Sequence, residues 1–328
     1  SLIQRAEVLS SLFYVASLSC LIHFSDSEKG RALGFWVLGI LFFILGFGAK
    51  QTMITLPVVY VLYLLFFVER QGWKKGVLGI LPLILAGIPF VIIAFVGSLG
   101  SAHAGFHMEE LGQPEYFYTE MRALVTYLGM IFVPVGQNVD HDYPVYRELL
   151  TPAVLLSLFL WLVVIGLSFL ALLVKGKWRY HLRVAGFGMI WFFVLLLPSS
   201  SLVPLRDVFV EHRVYLALMG AVLCTITLMD GLLRILERTD AKVIYRMIAV
   251  GVALILVLFC YATYERNRVW LTPASLWQDA AAKSPWKARP NYNLGSSYFK
   301  ERNFPGALFY FLIAKNLDPE YPEIYYNL

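Results

Sequence analysis

"LGFWVLGILFFILGFGAKQTMITLPVVYVLYLLFFV", residues Leu33 to Val68, places two apolar runs back to back with Lys50 as the one charge between them. Each run, Leu33 to Ala49 and Thr52 to Val68, is about 17 residues, the lower end of the length that carries a helix across a hydrocarbon core of about 30 Å. The pattern recurs outward from this point. Val8 to Phe24, Gly76 to Gly97, Pro152 to Val174, Ala185 to Pro198, Val214 to Met229 and Met247 to Tyr264 read as further spans, eight in all. Composition agrees: 59% of residues are hydrophobic and 15% charged, where soluble domains carry about a quarter charged. Mean hydropathy is +0.67. These values describe an all-helical, multi-pass membrane protein.

A net charge of +5 does not point to nucleic acid, because the basic residues sit in short loops between apolar runs, as membrane orientation requires. The most basic loop is "KGKWRYHLR", Lys175 to Arg183, followed by "ERQGWKK", Glu69 to Lys75. The positive-inside rule puts both in the cytoplasm. An even number of crossings must then separate them, so the apolar stretch Leu124 to Val135 is expected to be an interfacial or re-entrant helix. At about 12 residues it covers only ~18 Å. The loops Ser98 to Met121 and Gly136 to Thr151, both chain ends and everything after Tyr264 fall outside. Cys20, Cys224 and Cys260 lie in apolar runs without CxxC spacing and read as packing residues.

After the last span comes "NYNLGSSYFKERNFPGALFYFLIAKNLDP", Asn291 to Pro319. Its Leu294, Gly295, Tyr298, Ala307, Phe311, Ala314 and Pro319 match the tetratricopeptide pattern, two helices repeating every 34 or so residues. Trp277, Ala280 and Pro285 hold the same register upstream, and Tyr325 and Leu328 downstream. Asn291 stands where Trp is usual. Gly295 and Ala307 let helices approach closely, and Pro319 ends the second one. The expected organisation is a transmembrane domain over 1–268 and an external α-solenoid over 269–328, whose concave face would bind polypeptide.

Four stretches, "QRAEVLSSLFY" (Gln4 to Tyr14), "GAKQTMITLP" (Gly48 to Pro57), "PSSSLVPLRDVFVEHRVYLALMG" (Pro198 to Gly220) and "ERNRVWLTPASLWQDAAAKSP" (Glu265 to Pro285), resemble bacterial membrane proteins with tetratricopeptide tails and the eukaryotic transmembrane and tetratricopeptide-containing O-mannosyltransferases, within the GT-C glycosyltransferase superfamily. The resemblance implies a sugar donor carried on a polyprenyl phosphate, transfer on the external face, and a bacterial inner-membrane protein with its repeats in the periplasm. No resident cofactor is evident in the sequence. In that family the catalytic carboxylate lies in the first external loop, which here would precede Ser1. The first residues resemble the start of the family's second helix, so the chain reads as an excerpt and its base is unassigned.

Other residues take supporting roles in that expectation. Arg213, Lys50, Arg5 and Arg206 are candidates for the donor phosphate, which suits the planar fork of arginine. Glu7, Glu211 and His212 are candidates to assist them; Glu7 with Arg5 reads equally as a helix-end ion pair snorkelling to the interface, and Glu211 and His212 read also as part of a structural network closing a helix mouth. Where the family commonly has Lys-Glu, this chain has Lys50-Gln51. Asp140, His141 and Asp142 could hold an acceptor sugar or a divalent metal, or form a solvated loop. His103 and His107, with Glu109 and Glu110, imitate ligand spacing without a helical scaffold. The rival function is a non-catalytic membrane scaffold that assembles envelope proteins on its repeats.

Overall fold

The structure, a computed structural model, describes residues 2–27, 29–69, 73–99, 112–202, 205, 207–236 and 241–328. The described residues are helical, without strands. In chain order come α1 (Leu2–Asp26), α2 (Lys29–Ala49), a 3-10 helix (Gln51–Thr55) running into α3 (Leu56–Phe67), α4 (Trp73–Leu99), α5 (Gln113–Phe132), α6 (Pro152–Leu170) and α7 (Arg179–Leu197). A π-helical turn (Pro198–Leu202) and a 3-10 turn (Glu211–Arg213) precede α8 (Val214–Leu236) and α9 (Ala241–Val269). Four shorter helices finish the chain: α10 (Pro273–Lys283), α11 (Ala288–Lys300), α12 (Phe304–Leu317) and α13 (Pro322–Asn327).

Among the described residues, seven helices are long and apolar enough to cross a bilayer: Arg5–Asp26, Ala32–Ala49, Trp73–Ile93, Pro152–Leu173, Arg179–Ser200, Glu211–Ile235 and Tyr245–Val269. The protein is therefore an integral, multi-pass type. The expected span Thr52 to Val68 is a shorter apolar helix, Gln51–Phe67. Between the two runs a single extended residue, Lys50, leads into the 3-10 helix.

Two further expectations are corrected. The helix placed at Leu124 to Val135 is the 20-residue α5, Gln113–Phe132. Its Tyr116 and Tyr127 are fully buried. The basic stretch Lys175 to Arg183 is not all loop, since α7 begins at Arg179.

The chain divides into two compact units. The first joins Ser1–Ile131, Val145–Val208 and His212–Leu232. Within it α7 is the most enclosed span, and glycines explain why. A Cβ on Gly186 would strike the Ser168 carbonyl of α6, while one on Gly188 or Gly220 would land on the other's carbonyl oxygen where α7 crosses α8. Such backbone-to-backbone contact is how helices associate where lipid removes any hydrophobic drive between them. Elsewhere Ser17 donates to the Gly39 carbonyl at 2.6 Å, fastening α1 to α2. Lys75 caps the end of α1 by donating to the Ser27 carbonyl, a favourable place for a cation.

The second unit joins Phe132–Pro144, Phe209–Glu211 and Leu233–Leu328. Its short helices carry strong boundary signals. Thr272 accepts from the Ser275 amide and Ser275 returns the bond, a capping box with Pro273 behind it. Asn303 caps α12 through the Gly306 amide at 3.1 Å. Ala307, Phe311, Ala314 and Ile324 form the buried core of α12 and α13, with Tyr292, Tyr298 and Tyr321 against it. Gly295 faces the Phe311 ring and the Ala307 carbonyl, leaving no room for a side chain. Helices α10 and α12 end at Lys283 and Leu317, and α11 and α13 begin at Ala288 and Pro322, each pair one period of about 34 residues apart.

Candidate functional site

In the first unit, α1 places Glu7, Ser10, Ser11, Tyr14 and Ser17 at three- and four-residue spacings, so they share one face. All five are buried. A polar stripe inside an apolar bundle needs partners, and two come from the "GAKQTMITLP" segment. Lys50 donates to Glu7, and the Tyr14 hydroxyl lies 3.1 Å from Thr55 Oγ1. Two candidates read separately from the sequence, Glu7 and Lys50, thus form one pair. The carboxylate beside Lys50 comes from α1, not from position 51. Among the described residues the Ser10 and Ser11 hydroxyls have no hydrogen-bond partner. Arg5 is exposed one turn earlier.

A second charged cluster in this unit centres on a residue the sequence reading passed over. Glu120 of α5 is 0% exposed, and Arg213 approaches its Oε1 at 3.5 Å. The guanidinium also donates to the carbonyls of Val208 at 2.8 Å and Asp207 at 2.5 Å. The Tyr116 hydroxyl donates to the Ser199 carbonyl in the π-helical turn, and Tyr116 packs with Val208 and Leu205. Burial pushes the Glu120 carboxyl up to about 7, with the Arg213 charge and the Ser200 and Tyr116 hydroxyls opposing the rise. The Ser200 hydroxyl, itself buried, stands beside the Glu120 carboxyl. Glu120 stands one helical turn from Tyr116, Ala123 and Leu124, all buried. A carboxylate inside that apolar stripe was the available signal.

The second unit holds Asn138, Asp140, His141 and Glu211. Asp140 is buried and receives Lys287 Nζ at 2.6 Å and Arg289 through Nε at 2.5 Å and Nη2 at 2.7 Å. Burial works to raise its pKa, but the hydrogen bonds and charges of Arg289 and Lys287 hold it below the ordinary carboxylate value. Ser284 donates to the Asp140 carbonyl at 2.7 Å and accepts from Asn138 at 2.8 Å. His141 Nε2 meets Glu211 Oε1 at 2.7 Å, and the Asn138 amide donates to the same oxygen at 2.6 Å. The loop is therefore pinned to the turn that joins α10 to α11, and its carboxylate at 140 is occupied by protein cations. Asp142 is exposed, although its amide donates to Ser284 Oγ at 3.0 Å.

Arg206, His103, His107, Glu109 and Glu110 lie outside the described residues. Among the described residues no group of three or more His, Cys, Asp or Glu side chains is arranged to hold a metal ion. His212 precedes Arg213 in the 3-10 turn. Comparison with protein-family models, curated proteins and solved structures finds no match.

Proposed function

We propose that the first unit is a GT-C-like glycosyltransferase module that passes a sugar from a polyprenyl-phosphate carrier to a hydroxyl acceptor, most simply on a polypeptide. The observation that carries this reading is the meeting of the buried Glu120 carboxyl with the Arg213 guanidinium, beside the Ser200 and Tyr116 hydroxyls. Perturbed carboxylates in such settings are frequent at functional sites. Arg213 and Lys50 supply positive charge for the donor phosphate. Glu120 positions Arg213, and the catalytic base belongs to the family's first external loop.

In this reading α3 is the eighth span. Its 12 α-helical residues with the five-residue 3-10 helix reach about 28 Å at 1.5 and 2.0 Å per residue. Helices α10 to α13 are tetratricopeptide repeats that raise the local concentration of acceptor, in the periplasm of a bacterial inner membrane. Transfer of labelled sugar from a polyprenyl-phosphate donor, assayed with the full-length protein in proteoliposomes, tests the proposal. Arg213→Ala should abolish donor binding and Arg213→Lys should restore part of it.

A second reading, the non-catalytic scaffold, draws on a specific observation. Arg213 already donates to two backbone carbonyls, and Lys50 is already paired with Glu7. Unchanged donor binding in a folded Arg213→Ala protein would favour it.

A further inference from the structure

Helix α12 is apolar on two opposite faces. Ala307, Phe311 and Ala314 are buried against the rest of the second unit. On the other side Phe304, Leu308, Phe309 and Leu312 are 57%, 51%, 59% and 46% exposed. Their spacing puts them within one arc of the helix. Only Lys315 and Asn316, in the last turn, interrupt that arc. A helix hydrophobic all round is normally covered on every side, and soluble proteins seldom leave a contiguous apolar stripe of this kind open.

We infer that the Phe304, Leu308, Phe309 and Leu312 face of α12 lies on the surface of the bilayer, in contact with acidic phospholipid. Three observations select lipid over a polypeptide. First, the helix belongs to the same unit as the span α9, whose membrane-crossing portion is wholly exposed. Arg266 near the end of α9 pairs with Asp279 of α10 at 2.7 Å, and Asp279 in turn receives Lys283. The short helices are thus fastened to a span, within reach of the membrane.

Second, the stripe is the face of a single helix with basic side chains beside it. Lys300 and Arg302, with Glu301 between them, are exposed just before it, and Lys315 reaches over the Tyr325 ring at its far end, ahead of Asp318 and Glu320. Basic side chains beside an apolar stripe match a surface of anionic headgroups over acyl chains. Third, α12 has 14 residues, about 21 Å long, which is too short to cross the core and suited to lying on it. Phe299 packs edge-on to Phe304 at 5.5 Å, continuing the aromatic surface toward the preceding turn.

The test uses the full chain with Cys20, Cys224 and Cys260 replaced by Ala and a single cysteine introduced by Phe309→Cys, Leu312→Cys or, as control, Glu320→Cys. Each carries an environment-sensitive nitrobenzoxadiazole label and is reconstituted in vesicles of phosphatidylcholine and phosphatidylglycerol. At 309 and 312 the emission should shift to the blue and be quenched by headgroup-region nitroxide lipids. The label at 320 should keep its aqueous emission and be quenched by iodide instead. Aqueous behaviour at both 309 and 312 in these vesicles overturns the inference. So does a blue shift that appears only after a polypeptide is added, or one that persists in detergent and disappears on dilution, which would mark a partner or a second copy. Circular dichroism matched to the cysteine-free parent keeps an aqueous result from being read as misfolding.

Discussion

At the scale of a single residue, Glu120 carries an electrostatic consequence that falls between acid and neutral pH. Its carboxyl is pushed from 4.5 to about 7, so the folded chain keeps a proton there that the unfolded chain has released. Stability contributed by this group is complete below its ordinary value and declines as pH rises toward 7, where ionisation of the folded form ends the decline. The thermal unfolding midpoint in detergent should therefore fall between pH 4.5 and pH 7, and Glu120→Gln should flatten that slope. An unchanged slope in the variant would locate the titration elsewhere. Asp140 behaves oppositely, because its lowered pKa stabilises the fold above the ordinary carboxylate range and is lost as pH drops through its folded value. Removing one partner from a buried charge costs about 3–5 kcal/mol in the enclosed limit. Lys287 and Arg289 reach water, and each can substitute in part for the other. Arg289→Ala should accordingly cost about 1–2 kcal/mol. Asp140→Asn combined with Arg289→Ala should cost less than the sum of the single changes, read by a double-mutant cycle of chemical denaturation.

At the scale of elements, packing is decided by where backbone meets backbone. Gly188 of α7 and Gly220 of α8 face each other's carbonyls, so Gly220→Val has no flexible side chain to displace. The variant should lose about 1–3 kcal/mol and show a lower unfolding midpoint than Gly231→Val. A Cβ added at Gly231, on α8, would meet the Trp178 ring at 3.3 Å, and a ring can turn aside. Equal losses at the two positions would refute the close crossing. In the short helices, Arg302 follows α11 with φ +61, a left-handed conformation that disfavours side chains and that glycine adopts freely. Arg302→Gly should stabilise the second unit by about 0.5–1 kcal/mol, seen as slower amide exchange in α11 and α12.

The molecule as a whole turns on whether the Gln51–Phe67 helix crosses the membrane. The eight-span reading predicts that Lys50 and Lys74 lie on opposite sides. Single cysteines at the two positions, challenged with a membrane-impermeant maleimide in sealed vesicles, should react from opposite faces; labelling from one face would remove α3 from the spans. Most of the membrane character was legible in the chain, because lipid offers no hydrogen bonds and so demands long uninterrupted apolar runs. The boundaries of α10 and α12 were equally local, written in Thr272, Pro273 and Asn303. Other features needed the assembled chain. Glu120 stands among apolar positions of its own helix, and its partner Arg213 arrives only from 93 residues away. Asp140 reads as a solvated loop residue until Lys287 and Arg289 close on it across 147 and 149 residues. Lys50 and Glu7 sit 43 residues apart and meet only when α1 packs against α2. Apolar continuity and helix caps are properties of neighbours in sequence, so the sequence by itself determined the membrane class and the helical ends. The partner of a buried charge is whichever group the fold delivers to it, and tertiary structure alone decided those pairs.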